Sequence, residues 1–162
     1  MDELPPELGP PSEGDEPAEL PPEEARRLEA ARWFQQAEAD LVAARDNVAA
    51  GHHNWACYMA EQAAEKAVKA VYVFRDLQFR RIHTIADLIL GNSLRRVEGV
   101  PGLSHLDEAA NGLDNVMTSS RSPDAVPYTE APAQYFTDAQ AEECIEWAQQ
   151  IVNAVRNLLP NT

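Results

Sequence analysis

Apolar residues recur along this chain at intervals of three and four rather than two, and that period marks helices. The first amphipathic run opens near Pro22-Glu23-Glu24, where a proline and early carboxylates suit a helix N-terminus. Its apolar stripe is Ala30, Phe34, Ala37, Leu41, Ala44 and Val48. Gly51 is expected to end it in the left-handed region, with His52-His53-Asn54 as the turn and Asn54 as the N-cap of the next helix. That second helix, residues 54 to about 75, has no Gly or Pro inside it and is rich in alanine, the best helix former. Ala56, Ala60, Ala63, Ala67, Ala70 and Phe74 share one face and would let a neighbouring helix approach closely. Tyr58, Gln62, Glu65, Lys66 and Lys69 lie on another.

The spacing predicts a third helix over residues 83–90, with Thr84 and Asp87 placed as a capping box. Gly91, or the cluster Gly99-Val100-Pro101-Gly102, stops it. Ser104 is placed to cap a fourth helix striped by Leu106, Ala109, Ala110, Leu113 and Met117. Pro123, Pro127 and Pro132 make residues 119–135 an extended loop. Thr137 or Asp138 starts a last helix that buries Ala141, Cys144, Ile145, Ala148, Ile151, Val152, Val155, Leu158 and Leu159 and ends at Pro160. No window alternates with period two. Long helices joined by short connections predict an all-α fold, an antiparallel up-and-down bundle of four to five helices over residues 24–160.

Charge changes the picture at one end. The formal net charge is −14, but residues 1–24 hold nine carboxylates and no Lys or Arg, leaving 18 acidic against 13 basic side chains in the rest. Residues 1–23 also hold seven of the twelve prolines. Such a composition cannot offset the entropy of ordering, so this stretch is expected to be a disordered tail. Without clustered Lys and Arg, binding in a DNA groove is not expected, although a local site for one nucleotide or an RNA end is compatible with these totals. With neither a signal-like leader nor an apolar run of membrane-spanning length, the expectation is a soluble cytoplasmic protein without membrane contact.

Most familiar chemistries find no footing. His52, His53, His83 and His105 form neither HxxxH nor HExxH, and Cys57 and Cys144 have no CxxC partner. Neither a metal nor a cofactor is expected, and the cysteines read as buried small residues. A Gly-rich phosphate loop and a GxSxG elbow are both missing. The stretch Ser119-Ser120-Arg121-Ser122-Pro123-Asp124 sets an Arg and an Asp on a stiffened loop after the fourth helix. Arg121 there suits a phosphate, with Asp124 orienting it; a local Arg–Asp pair is the other reading. Lys66 and Lys69, with Gln62, either add to the same anion site or belong to a solvated face. In that second case the Glu65/Lys69 pair contributes about 0.3 kcal/mol.

The order of these pieces resembles a known family. A Trp33-Phe34 helix with Ala37, Asp40 and Leu41 leads to Gly51-His52, then Glu61-Gln62-Ala63-Ala64-Glu65-Lys66-Ala67-Val68-Lys69-Ala70, then His83-Thr84-Ile85-Ala86-Asp87-Leu88. Ser120-Arg121-Ser122-Pro123-Asp124 and Tyr135-Phe136-Thr137-Asp138 follow. Over residues 28–158 this resembles the HEPN domain, a small helical nucleotide-binding module. The resemblance implies a homodimer that works beside a minimal nucleotidyltransferase or within a toxin–antitoxin pair, with Gln62, Lys66, Lys69, Arg121 and Asp124 as nucleotide or phosphate contacts and His83 positioning the third helix. Ribonuclease members of the family carry an Arg four to six residues before a His. Arg121 is followed by Ser-Pro-Asp-Ala-Val-Pro-Tyr, with no His, and Ser122 stands where a Tyr is common. A non-catalytic binding module is therefore expected. The alternatives are a metal-independent ribonuclease using Arg45 or Arg121 with His52, and a dimerisation module without a ligand.

Overall fold

The computed structural model describes residues 19–79 and 81–161. The acidic tail expected over residues 1–23 lies, up to residue 18, outside the described residues. Six α-helices are formed among the described residues: α1 (Pro22–Ala49), α2 (His53–Phe74), α3 (Ile85–Leu90), α4 (Asp107–Ser119), α5 (Pro132–Tyr135) and α6 (Asp138–Leu158). No strand occurs among them; Asn92 and Val97 make one isolated bridge.

Pro22 sits in the first turn of α1 with Glu23 and Glu24 behind it, and Gly51 leaves the helix at φ +79°. The three-residue connection folds α2 back along α1. Cross-contacts give the direction: Asp40 meets Lys66, whereas the earlier Trp33 meets the later Phe79. Glu38 reaches Arg156 and the later Arg45 reaches the earlier Gln149, so α6 is also antiparallel to α1. The last residues of α4 lie beside the start of α2, where Asn54 bonds Ser120. α1 and α4 thus run one way, and α2 and α6 the other.

α2 is the spine. It packs on α1, α6, α4 and α3, and fourteen of its twenty-two residues are buried. Ala56, Ala60, Ala63 and Ala67 are fully buried, as are Ala37 and Ala44 on α1. Small side chains let helix backbones close in, and larger ones fill the space behind them: Val68, Leu88, Leu113, Ile151 and Val152. Each such large aliphatic side chain contributes about 1.5–3 kcal/mol on burial.

Four local expectations give way to tertiary contacts. Asn54 is inside α2 and buried, its amide donating to the Ser120 carbonyl at 3.0 Å, while His52 occupies the N-cap. The capping box of α3 does not form. Thr84 makes no side-chain cap, and Asp114 of α4 instead accepts from the Ile85 and Ala86 amides at 2.8 and 2.9 Å. Asp87 turns the other way, toward Asn92 and Arg95. A carboxylate from another helix satisfies two free N–H groups at once, which a local threonine cannot match. Ser104 lies within the 3₁₀ turn Pro101–Leu106 and donates to the Pro101 carbonyl, so α4 begins at Asp107. The loop after α4 is not wholly extended, since it contains the 3₁₀ turn Pro123–Ala125 and the short α5. The last helix starts as expected, with Thr137 capping it in a box with Gln140, but it ends at Leu158, and Leu158 and Leu159 are half-buried rather than buried.

The α4–α6 seam depends on one missing side chain. A Cβ built on Gly112 would fall 2.4 Å from the Trp147 ring. Gly112→Ala should gain about 1 kcal/mol of helix propensity but lose about 1–3 kcal/mol by displacing Trp147. Urea unfolding is expected to show a net loss of stability, and adding Trp147→Leu should restore most of it.

Candidate functional site

Two features of α2 gather polar groups. The first is its N-terminal end. Asn54 pins Ser120, the residue before Arg121, against the first turn of α2. Arg121 then lies with its guanidinium 4.8 Å from the centroid of the Tyr58 ring and its Nε donating to the Met117 carbonyl at 3.0 Å. Trp55 stands edge-to-face with Tyr58 at 6.0 Å and is 43% exposed. Among the described residues no side chain caps α2, which leaves the first N–H groups of the helix without a side-chain acceptor. The α6 N-terminus is at the same end, where Asp138 meets His53 at 3.5 Å. Two long helices therefore direct their positive dipole ends there. The two Nη groups of Arg121 and the Asp124 carboxylate have no protein partner among the described residues. The local Arg121–Asp124 pair does not form.

The second feature is the polar face of α2, which is not a solvated surface. Glu61, Glu65 and Lys69 are buried, and Gln62 and Lys66 half-buried. Glu65 pairs with Lys69, and the Nδ1 of His83 is 3.1 Å from the same carboxylate. Lys69 also lies over the Phe79 ring at 5.5 Å. Lys66 reaches Asp40 at 2.6 Å and the Gln62 carbonyl at 3.3 Å. Gln62 donates to Glu61 at 2.8 Å. One oxygen of Glu61, Oε1, has no partner among the described residues. Burial pushes the Glu61 carboxyl up to about 8; the Gln62 bond opposes this, and the charges of Glu65 and Asp114 add to it. Burial also raises Asp114, against the pull of the two α3 amides. With two cations closed into ion pairs, this face is a structural polar core.

The structure thus divides the expected residues. Gln62, Lys66 and Lys69 share the buried network, whereas Arg121 and Asp124 sit at the α2 N-terminal end. His83 reaches Glu65 just before α3. Arg45 is bound to Gln149 of α6, away from the exposed His52. His52 itself is at the same end as Arg121, two residues before Asn54. Sequence reading missed Trp55, Asn54, Glu61 and Asp114. An aromatic at i,i+3 from Tyr58 was a visible signal for Trp55. Nothing local marks Glu61 or Asp114, whose roles arise from helices distant in sequence.

Cys57 and Cys144 are free, buried and in contact across α2 and α6. The Cys57 hydrogen bond and burial push the Cys144 thiol up, which leaves it unreactive. Among the described residues, no group of three or more His, Cys, Asp or Glu side chains is placed to hold a metal ion. None of their helices is long and apolar enough to cross a membrane. Two surface grooves lie away from Arg121: one of about 590 Å³ runs between α1 and the end of α6, past Phe34 and Arg156. Another, of about 580 Å³, is lined by Trp33 and Lys66.

Comparison with known proteins agrees with this architecture. Residues 30–158 match the family model described as the HEPN domain. Human Sacsin is 28% identical over 135 residues, 82% of this chain, but the match takes in 3% of Sacsin's length. The candidate toxin MJ1304 of Methanocaldococcus jannaschii is 26% identical over 134 residues, covering 78% of this chain and 86% of that protein. Among solved structures, TT1696 of Thermus thermophilus is 34% identical with a TM-score of 0.68, covering 79% of this chain and 96% of that one. The archaeal HEPN homologue ST0689 is also 34% identical, with a TM-score of 0.64, over 81% and 98% of the two chains.

Breaking the buried pair from one side should be costly. Lys69→Met leaves Glu65 buried with the exposed His83 and the Gln62 amide beside it but no lysine, and a loss of about 3–5 kcal/mol is expected in urea unfolding. The double change Glu65→Leu with Lys69→Met should recover a large part of that loss, because it removes both charges together.

Proposed function

The chain belongs to the HEPN domain family, and on that premise we propose that it is a binding module for a nucleotide or an RNA end, which it holds without cutting. The observation that carries this reading is Arg121, held at the uncapped α2 N-terminal end with its Nη groups unpaired among the described residues. A phosphate there meets a rigid guanidinium fork, N–H groups without a side-chain acceptor and two helix dipoles. Trp55 and Tyr58 offer ring faces and edges against which a base can stack. Asp124 adds an acceptor for a base or ribose N–H or O–H. Gln62, Lys66 and Lys69 support this end indirectly, through the network that fixes α2. The family membership and the likeness to a candidate toxin favour a homodimer acting beside a nucleotidyltransferase-type or toxin–antitoxin partner.

A second reading has its own observation. His52 is exposed at the N-cap of α2, at the same end as Arg121, so the fold supplies near Arg121 a histidine that its own segment lacks. RNA cleavage without metal would then use Arg121 on the phosphate and His52 in proton transfer.

Titration of AMP and of a 5′-phosphorylated RNA pentamer, followed by tryptophan fluorescence, tests the first reading. Arg121→Ala is expected to weaken binding about 10- to 100-fold, the loss of one charge-assisted contact. Tyr58→Ala should weaken it less. If neither ligand binds the wild type at millimolar concentration, the reading falls. Labelled RNA incubated in EDTA decides the second: cutting that disappears in His52→Ala would replace holding by cleavage.

A further inference from the structure

α3 has only six residues, too few to be stable by itself, so its order depends on the groups that hold it. Three polar tethers do so. Asp114 accepts from the Ile85 and Ala86 amides, His83 reaches Glu65, and the Tyr72 hydroxyl donates to the Leu88 carbonyl at 2.6 Å. Glu61, one turn before Glu65 on α2, is fully buried, and its Oε1 faces no donor among the described residues. Its carboxyl is within hydrogen-bond reach of Glu65. Two ionised carboxylates both accept and cannot bond each other, and a proton on Glu61 supplies the missing donor.

We propose that the Glu61 carboxyl is a proton-held latch: protonated, it lets α3 dock on α2 and α4; ionised, it drives α3 off and opens Glu65 and Lys69 to solvent. The charges around it set the direction. Glu65 and Asp114 both repel an ionised Glu61. Lys69 is already paired with Glu65, and Lys66 is paired with Asp40 of α1. His83 is committed to Glu65, and Asp87 on α3 faces Asn92 and Arg95, its charge acting on Asp114. A bare carboxylate at Glu61 therefore has no free counter-ion among the described residues, and α3 yields because two of its tethers run through Glu65 and Asp114, the carboxylates that Glu61 repels. The carboxyl, held up to about 8 by burial, would have an ordinary value of 4.5 in the open form. The closed form thus binds the proton more tightly. Docking is strongest below pH 4.5, weakens as pH rises toward 8 and changes no further above it.

Amide hydrogen exchange on the full chain between pH 5 and 9.5 tests the latch. After correction for intrinsic exchange, protection of the Ile85 and Ala86 amides should fall by up to about tenfold per pH unit and level off near pH 8, the signature of one proton. Amides in the middle of α6 should show no such slope. Glu61→Gln, which keeps the shape and cannot ionise, should leave α3 protected across the range, and His83→Gln should retain the wild-type slope. Flat protection in the wild type, or an unchanged slope in Glu61→Gln, overturns the proposal; so does loss of the slope in His83→Gln alone, which would make the imidazole the switch. Should Glu61→Gln fail to fold, carbon-13 titration of the wild-type Glu61 carboxyl decides. A midpoint near 8 that coincides with the loss of α3 protection supports the latch, and a midpoint between 4 and 5 overturns it.

Discussion

The bundle depends on a compromise along α2, which must be approached closely from three sides while carrying Glu61, Glu65 and Lys69 inside. Burying a charge is tolerable only where a partner and hydrogen bonds replace water. Each charged group on this face therefore has a specified neighbour: Lys69 and His83 for Glu65, Asp40 for Lys66, Gln62 for Glu61. Those neighbours come from α1, from α2 and from the segment before α3, so the polar network sets the register of elements that alanine faces alone would leave free to slide. The apolar contacts provide most of the stabilisation. The polar ones select the arrangement.

That same arrangement separates two tasks. The cations on the face of α2 neutralise carboxylates and stabilise the interior. The outward-facing chemistry collects at the end where α2 and α6 both begin, around Arg121, Trp55, Tyr58 and His52. A helix N-terminus leaves N–H groups without acceptors, and those of α2 have no capping side chain. The fold brings to that end of the bundle an arginine whose Nη groups have no partner among the described residues, and this juxtaposition is the physical basis for expecting an anionic ligand there.

Much of the fold was legible in the residues. The stripe on α1, the left-handed exit at Gly51, the continuous α2 and the Thr137 cap all appear where local rules place them. These features arise from interactions within three or four residues, which a sequence displays directly. The failures have a common cause. Asn54, Thr84 and Ser104 each suited a local cap, and none of them makes it: Asn54 bonds Ser120, Ser104 bonds Pro101, and at α3 a carboxylate replaces Thr84. For α3 the competitor was Asp114, twenty-eight residues from Ala86, and two hydrogen bonds to a carboxylate outweigh one to a hydroxyl. Candidate site residues fared similarly: Arg121 was identifiable as a cation on a stiff loop, but Tyr58 against its guanidinium and Asn54, which holds Ser120, belong to another helix.

The sequence by itself determined the long periodic helices, the close-packing face of α2 and the family to which the chain belongs. Those follow from side-chain period and size, properties that do not depend on where the rest of the chain lies. The tertiary structure alone decided the environment of each polar group. The spacing of Glu65, Lys66 and Lys69 is the same on a wet face and in a core, since period does not report what covers a surface. Only the packing of α1, α3 and α4 over α2 turned that spacing into a buried network, left Glu61 facing two carboxylates, and moved the open cationic chemistry to Arg121.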